Sequence, residues 1–149
     1  MYDKNKVLAI GCDHGGYEMK EAVKSYLVGK GYNIKDFGVN SIESVDYPDI
    51  IHPLAKAIND GSIEMGIILC GSGNGVQMTA NKYPNVRAGL CWEKQQAELI
   101  RQHNNANIIS LPGRFVSIES AQEMVDAFLT TDFEGGRHQT RVDKINKIS

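Results

Sequence analysis

Apolar positions along this chain alternate between two periods. Five short runs rich in β-branched residues read as strands: "KVLAIG" (6–11), "YNIKDFG" (32–38), "MGIILCG" (65–71), "VRAGLC" (86–91) and "NIISLPG" (107–113). Helical spacing fills the gaps between them. Met19, Ala22, Val23, Tyr26 and Leu27 form one apolar stripe, with Gly31 suited to end that helix. A second helix is predicted from Pro48 to Asn59 with Gly61 beyond it, a third inside "GNGVQMTANK", and a fourth from Glu93 to His103. Ser117 is placed to cap a fifth, where Ile118, Ala121, Met124, Val125 and Phe128 keep the helical period. A last helix follows "EGGR", at about 137–148, with Val142, Ile145 and Ile148 on one side.

Strands too apolar to have a wet face, alternating with helices, imply an α/β fold: a three-layer α/β/α sandwich around a five-stranded parallel sheet. Ligands of such sheets sit at the carboxyl ends of the strands. There the first strand ends in "GCDHGG", the third in "CGSGNG", the fourth in "CWE" and the fifth in "LPGR". The longest aperiodic connection, "GVNSIESVDYPD" (38–49), brings Tyr47 to the same edge. Reactive residue types, His14 and His103 among them, are therefore expected along one edge.

Composition narrows the partners. The 149 residues suit one domain, 1–149, and a net charge of -2, from 16 basic and 18 acidic residues, offers no field for nucleic acid or an anionic membrane. The longest apolar runs are far too short to span a bilayer. Three cysteines without a CxxC pair, and no secretion signal ahead of them, predict a cytoplasmic protein with reduced thiols. The expected partner is a small molecule.

"GSGNG" lacks the Gly-Lys-Ser/Thr of a Walker loop and the G-x-G-x-x-G of a dinucleotide site. What remains is a strand-to-helix turn where backbone N–H groups converge on an anion, or else a tight turn with no ligand. Cys70 directly precedes it. Backbone dipoles there would favour a thiolate able to act as nucleophile or base, the alternative being a small buried hydrophobe; for Cys12 and Cys91, which lack such a loop, packing is the reading. Spacing of the cysteines with His14 and His103 does not suit structural zinc, and no metal or other cofactor is expected.

His103 ends a helix whose dipole favours imidazolium, which suits an acid as well as a plain C-capping residue. Arg137 and Arg141, four apart with His138 between them, can grip a phosphate dianion or form a solvated basic face; Arg114 is a third candidate arm. Asp13 can hold sugar hydroxyls, orient a histidine, or cap the first helix. A thiolate base, an anion cradle, an acidic histidine and an arginine pair suit aldose-ketose isomerisation of a sugar phosphate through an enediolate.

"GCDHGG", "DYPD", "ILCGSGNG", "ANK", "RQHNNAN" and "GGRHQTR" resemble, in order and spacing, the ribose-5-phosphate isomerase B family, whose wider group includes galactose-6-phosphate isomerase subunits. The resemblance covers essentially the whole chain. It implies a Rossmann-like sandwich acting without metal or organic cofactor on ribose 5-phosphate and ribulose 5-phosphate, as a homodimer or dimer of dimers with sites built from two subunits. It assigns Cys70 as the base at carbon 2 and His103 as the ring-opening acid. Ser72 with backbone of Gly71, Gly73, Asn74 and Gly75 becomes the enediolate cradle, and Arg137, Arg141 and Arg114 the phosphate clamp, with His138 beside it. Asp13, His14, Tyr47 and Asn104 match sugar-contacting positions. One branch of the family places a glutamate base after "SGNG"; here Val76 stands there and the cysteine is kept, although the other branch usually has threonine at Ser72. Rival expectations are an allose-6-phosphate or galactose-6-phosphate isomerase and a non-catalytic sugar-phosphate-binding module.

Overall fold

In the computed structural model, which describes residues 1–148, five parallel strands form one sheet in the order β2-β1-β3-β5-β4. The strands are β1 (Val7–Cys12), β2 (Asn33–Asp36), β3 (Met65–Cys70), β4 (Ala88–Leu90) and β5 (Ile108–Pro112). The helices are α1 (Tyr17–Gly29), α2 (Tyr47–Asn59), α3 (Asn74–Ala80), α4 (Lys94–Gln102), α5 (Ile118–Thr130) and α6 (Arg137–Lys144). The predicted Rossmann-like sandwich is what the chain forms.

Alternation along the central strands divides the core. Leu8, Ile10, Ile67, Leu69, Ile109 and Leu111 pack with Val23 and Leu27 of α1, Ala97 of α4, and Met124, Val125 and Phe128 of α5. Ala9, Ile68, Cys70 and Ile108 face the other way, against Ile51, Leu54 and Ile58 of α2 and Val76 and Ala80 of α3. Both faces are covered, which is why these three strands are apolar apart from Ser110 of β5.

The edges depart from the sequence reading. β2 is exposed at Asn33 and Lys35, because it pairs with β1 alone and water reaches its outer side, so it is not a dry strand. β4 keeps only three residues of the run 86–91. Just before it, the Arg87 N–H donates to the Asn107 side chain at 2.8 Å instead of to a strand neighbour. Helix ends agree better: the Ser117 hydroxyl accepts from the Ser120 N–H at 3.1 Å, and Gly31, at φ +91°, closes α1 with its N–H on the Val28 carbonyl. α6 stops at Lys144, short of 148, and leaves Ile145 and Ile148 exposed.

One buried charge fastens the carboxyl edge. Lys20 of α1 is fully buried, and its Nζ donates to both Asp36 oxygens, at 3.0 and 2.8 Å, and to the Val39 carbonyl at 2.5 Å. Lys24 donates to the same carboxylate at 2.8 Å. Burial alone would raise the Asp36 pKa, but the hydrogen bonds from Lys20, Lys24 and the Gly38 N–H outweigh it and hold the carboxyl below its ordinary value. Removing one partner strands the other in the core, so Asp36→Ala should cost about 3 kcal/mol in denaturant unfolding at neutral pH. Because the folded pKa is depressed, this contribution is fully present above the unfolded carboxyl value near ~3.9 and is lost as pH falls through the folded value. Wild type and variant should therefore converge in acid; a pH-independent difference would contradict the account.

Candidate active site

β3 delivers Cys70 to the carboxyl edge beside Pro112 of β5, and the chain must then turn into α3 within three residues. Gly73 makes that turn. It sits at φ +76°, and a Cβ there would stand 2.5 Å from Leu90 Cδ1 and 3.2 Å from the Leu111 carbonyl carbon, so no other residue fits. The hydroxyl of Ser110, fully buried in β5, donates to the Gly73 carbonyl at 2.7 Å. Thus fixed, Gly73 directs its N–H to Cys70 Sγ at 3.0 Å. Asn74 directs its own N–H to Ser72 Oγ at 3.3 Å. The loop therefore spends some of its donors on the thiol and the hydroxyl, which sharpens the reading of it as an anion cradle alone.

Cys12 and Cys91 are fully buried, and burial pushes their thiols up to about 11 and about 12, which keeps both protonated at neutral pH. Packing is indeed their role. Val76, where one branch of the family has a glutamate, is fully buried among α2 and α3 side chains.

Around this loop the "GCDHGG" residues gather. The Asp13 carboxylate caps a single 3-10 turn (His14–Gly16) by accepting from the Gly16 N–H at 3.2 Å. A methyl group added at Gly15 would meet the Gly71 nitrogen at 3.2 Å, Asp13 Oδ1 at 3.3 Å and Arg114 Nη2 at 3.4 Å. A backbone donor, a carboxylate and a guanidinium thus crowd Gly15 so closely that an added methyl group would press on all three. Arg114 crosses Gly71 and anchors its own N–H on the Gly71 carbonyl at 3.0 Å. His14 accepts the Val45 N–H on Nδ1 at 3.3 Å, which assigns its proton to Nε2. A cleft of about 320 Å³ opens between His14, Ile42 and Arg114. Tyr47 lies on the thiol's side, its ring against Gly75, where a Cβ would be 2.6 Å from Cζ.

His103, Arg137 and Arg141 are elsewhere. A helix that follows a strand runs back along the sheet, so the C-terminal end of α4 lies at the amino edge, beside the starts of β4 and β5. Asn104 lines a cleft there with Arg87, Ala88 and Ala106. The strand from Ile108 to Pro112 alone separates the two edges by about 13 Å. Grouping His103 with His14 on one edge is thereby corrected.

At the amino edge, His103 stacks on His138 with centroids 4.3 Å apart and planes 8° from parallel. His138 is buried; burial first, then the charges of Arg137 and His103, lower its pKa, with Glu134 opposing them. Arg141 and Asn104 line the adjoining cleft of about 310 Å³ with both histidines. Arg137 and Arg141 share one exposed side of α6. Of the candidate residues, then, Cys70 to Gly75, Asp13, His14, Tyr47 and Arg114 come together, and His103, Asn104, Arg137, His138 and Arg141 form a second group.

Three supporting residues escaped the sequence reading. Ser110 is hidden in an apolar run. Buried Arg101 ties off α4 by donating to Thr131, Asn105 and Ala106. Glu134 brings Oε1 to 3.6 Å from His103 Nε2. The polar residue inside a strand and the arginine on a helix's buried side were the available signals; Glu134 gave none.

Residues 8–145 match the family described as Ribose/Galactose Isomerase. Ribose-5-phosphate isomerase B of Escherichia coli (strain K12) is 41% identical over 143 residues, 96% of each chain. D-erythrulose-4-phosphate isomerase of Pectobacterium atrosepticum is 38% identical over 139 residues, 93% of this chain and 91% of that one. The crystal structure of ribose-5-phosphate isomerase B from Mycoplasma genitalium with bound ribulose-5-phosphate superposes with a TM-score of 0.92 at 39% identity, covering 97% of each chain. With this sheet order, this thiol loop and a match running from β1 to just past α6, the chain belongs to the ribose/galactose isomerase family.

Proposed function

We propose that this protein interconverts ribose 5-phosphate and ribulose 5-phosphate through an enediolate, without metal or organic cofactor, in the cytoplasm. The observation that carries the reading is Cys70 at the mouth of a rigid loop, with the Gly73 N–H donating to its sulfur at 3.0 Å. A thiolate so held takes the proton from carbon 2, and the electron pair passes to the oxygen on carbon 1. Ser72 and those backbone N–H groups of Gly71 to Gly75 that are not given to Sγ and Oγ hold the enediolate charge. The proton on the carbon 2 oxygen passes to the carbon 1 oxygen, and the thiol returns its proton to carbon 1, which gives the ketose and restores the thiolate. Val76 cannot exchange a proton, which leaves the base to Cys70.

His103 is the acid that opens the sugar ring, Arg137 and Arg141 with Arg114 hold the phosphate, and His138 stands beside them. Asp13, His14, Tyr47 and Asn104 orient the hydroxyls. These roles require the two groups of residues to meet on one substrate. Within one chain they sit on opposite edges of the sheet, so the working site joins the Cys70 edge of one copy to the His103 edge of a second, in a homodimer or dimer of dimers. Exposed Ile145 and Ile148 beside the second group are apolar surface for such a contact.

The relatives' names cover four- and five-carbon sugar phosphates, so chain length is the open variable. The spacing between arginine clamp and thiol sets it, and six-carbon allose and galactose 6-phosphates are the rival substrates. Turnover of ribose 5-phosphate well above the six-carbon compounds is expected; the reverse preference would reassign the substrate. A non-catalytic binding module would exchange no substrate proton with deuterated water.

Cys70→Ala should lower kcat by roughly a hundredfold to ten-thousandfold, the usual worth of general base catalysis, with unchanged folding. Near-normal turnover would remove the thiol from the mechanism. Gly15→Ala should raise KM with the fold retained, because the methyl presses on the Gly71 nitrogen, Asp13 and Arg114 and displaces them. If KM is unmoved, these groups do not hold substrate. Mixing unfolded Cys70→Ala and His103→Ala chains and refolding them together should recover about a quarter of wild-type activity, since half the dimers are mixed and each holds one intact site of two. Sites confined to one chain would recover none.

A further inference from the structure

At the amino edge, three metal-ligating side chains meet that isomerisation does not require as a set. Nε2 of His103 lies 3.6 Å, and Nε2 of His138 4.0 Å, from the same Oε1 of Glu134. All three ligand atoms fall within 4.8 Å of one another. Ligands bound at about 2.0–2.1 Å on a tetrahedral ion stand roughly 3.3 Å apart, so Glu134 is already close to its place relative to both histidines. Two imidazoles and one carboxylate are also the donors from which zinc sites with an open fourth position are built.

We propose that His103, Glu134 and His138 form a binding site for one divalent transition-metal ion of the zinc class. The parts differ in freedom in a way that suits capture of an ion. The His138 side chain is only 8% exposed, whereas those of His103 and Glu134 are 40% and 50% exposed, so His103 is the ring that turns out of its stack on His138 to bring both nitrogen lone pairs onto the ion. Hard ions such as magnesium and calcium prefer oxygen donors and are not expected to compete. Arg141 on the same cleft opposes a cation but would welcome an anionic fourth ligand. Resting on the reading of His103 as the ring-opening acid, occupancy has a functional consequence: the ion takes the nitrogen that would carry the proton, and turnover stops.

Equilibrium dialysis of the full-length protein against zinc, in a buffer without phosphate, tests the site itself. Expected are one ion per chain in wild type and Cys70→Ala, with binding weakened more than tenfold in Glu134→Gln and in His138→Gln. No binding, or binding that follows Cys70 and survives Glu134→Gln, overturns the site. Turnover measured on the same samples separates the two claims. Inhibition that tracks occupancy and is relieved in Glu134→Gln bears out the consequence. Full occupancy with undiminished turnover leaves the metal site standing and overturns both the blocking effect and His103 as the acid.

Discussion

The direction of a parallel sheet governs this molecule. Every strand points its carboxyl end at one edge, and every following helix must carry the chain back to the other. A residue at a strand's end and one at a helix's end therefore cannot share a pocket within a single chain. Cys70, Asp13, His14 and Arg114 are of the first kind. His103 is of the second, and α6 begins where α5 has already returned the chain to the amino edge. If both groups act on one substrate, as proposed, that constraint calls for a second copy, because no hinge or loop movement closes a gap set by the strands themselves.

On the carboxyl edge, rigidity comes from groups that never meet a ligand. Ser110 holds the Gly73 carbonyl, Gly73 presents its N–H to Cys70, and Leu90 with Leu111 leave no room for a side chain at Gly73. Lys20 and Asp36 fasten α1 to the segment after β2, and the Val45 N–H of that connection sets the histidine tautomer at His14. A base can be positioned to a fraction of an ångström only when its neighbours have one arrangement, and the buried donors provide it. The same logic explains Arg101 at the opposite edge, where it closes α4 and fixes the turn from which His103 projects.

How far the sequence disclosed this follows from what each signal measures. Periodicity reports burial, so β1, β3 and β5, the stripes of α1 and α5 and the span of α2 were legible to within a residue or two. It misjudged β2 and β4, whose edge positions depend on strand order, a tertiary property. Motifs report chemistry, so Cys70, Ser72, Asp13, His14, Tyr47 and Arg114 were legible as one group once the strand-end rule was applied. His103 was legible as a residue but not as a location, because its place depends on helix direction rather than on strand ends. Glu134 was not legible at all: an exposed glutamate in "FEGGR" resembles any other until the fold sets it beside His103 and His138.

The two edges also divide the electrostatic work. In the proposed reaction a phosphate dianion arrives with its charge, and exposed Arg137 and Arg141 would match it with charge of the opposite sign at little cost, since water still reaches them. The enediolate is different, for its charge exists only after the proton has left carbon 2. Donors that meet it must be oriented beforehand, in a place from which water is largely excluded, or reorganisation would consume the gain. Cys70 at 6% exposure, facing a turn locked by Ser110, fulfils that condition. Had one loop been asked to hold both charges, the phosphate would have competed for the donors the reaction needs. The proposed assignment of the permanent charge to exposed arginines leaves the glycine loop to the transient one.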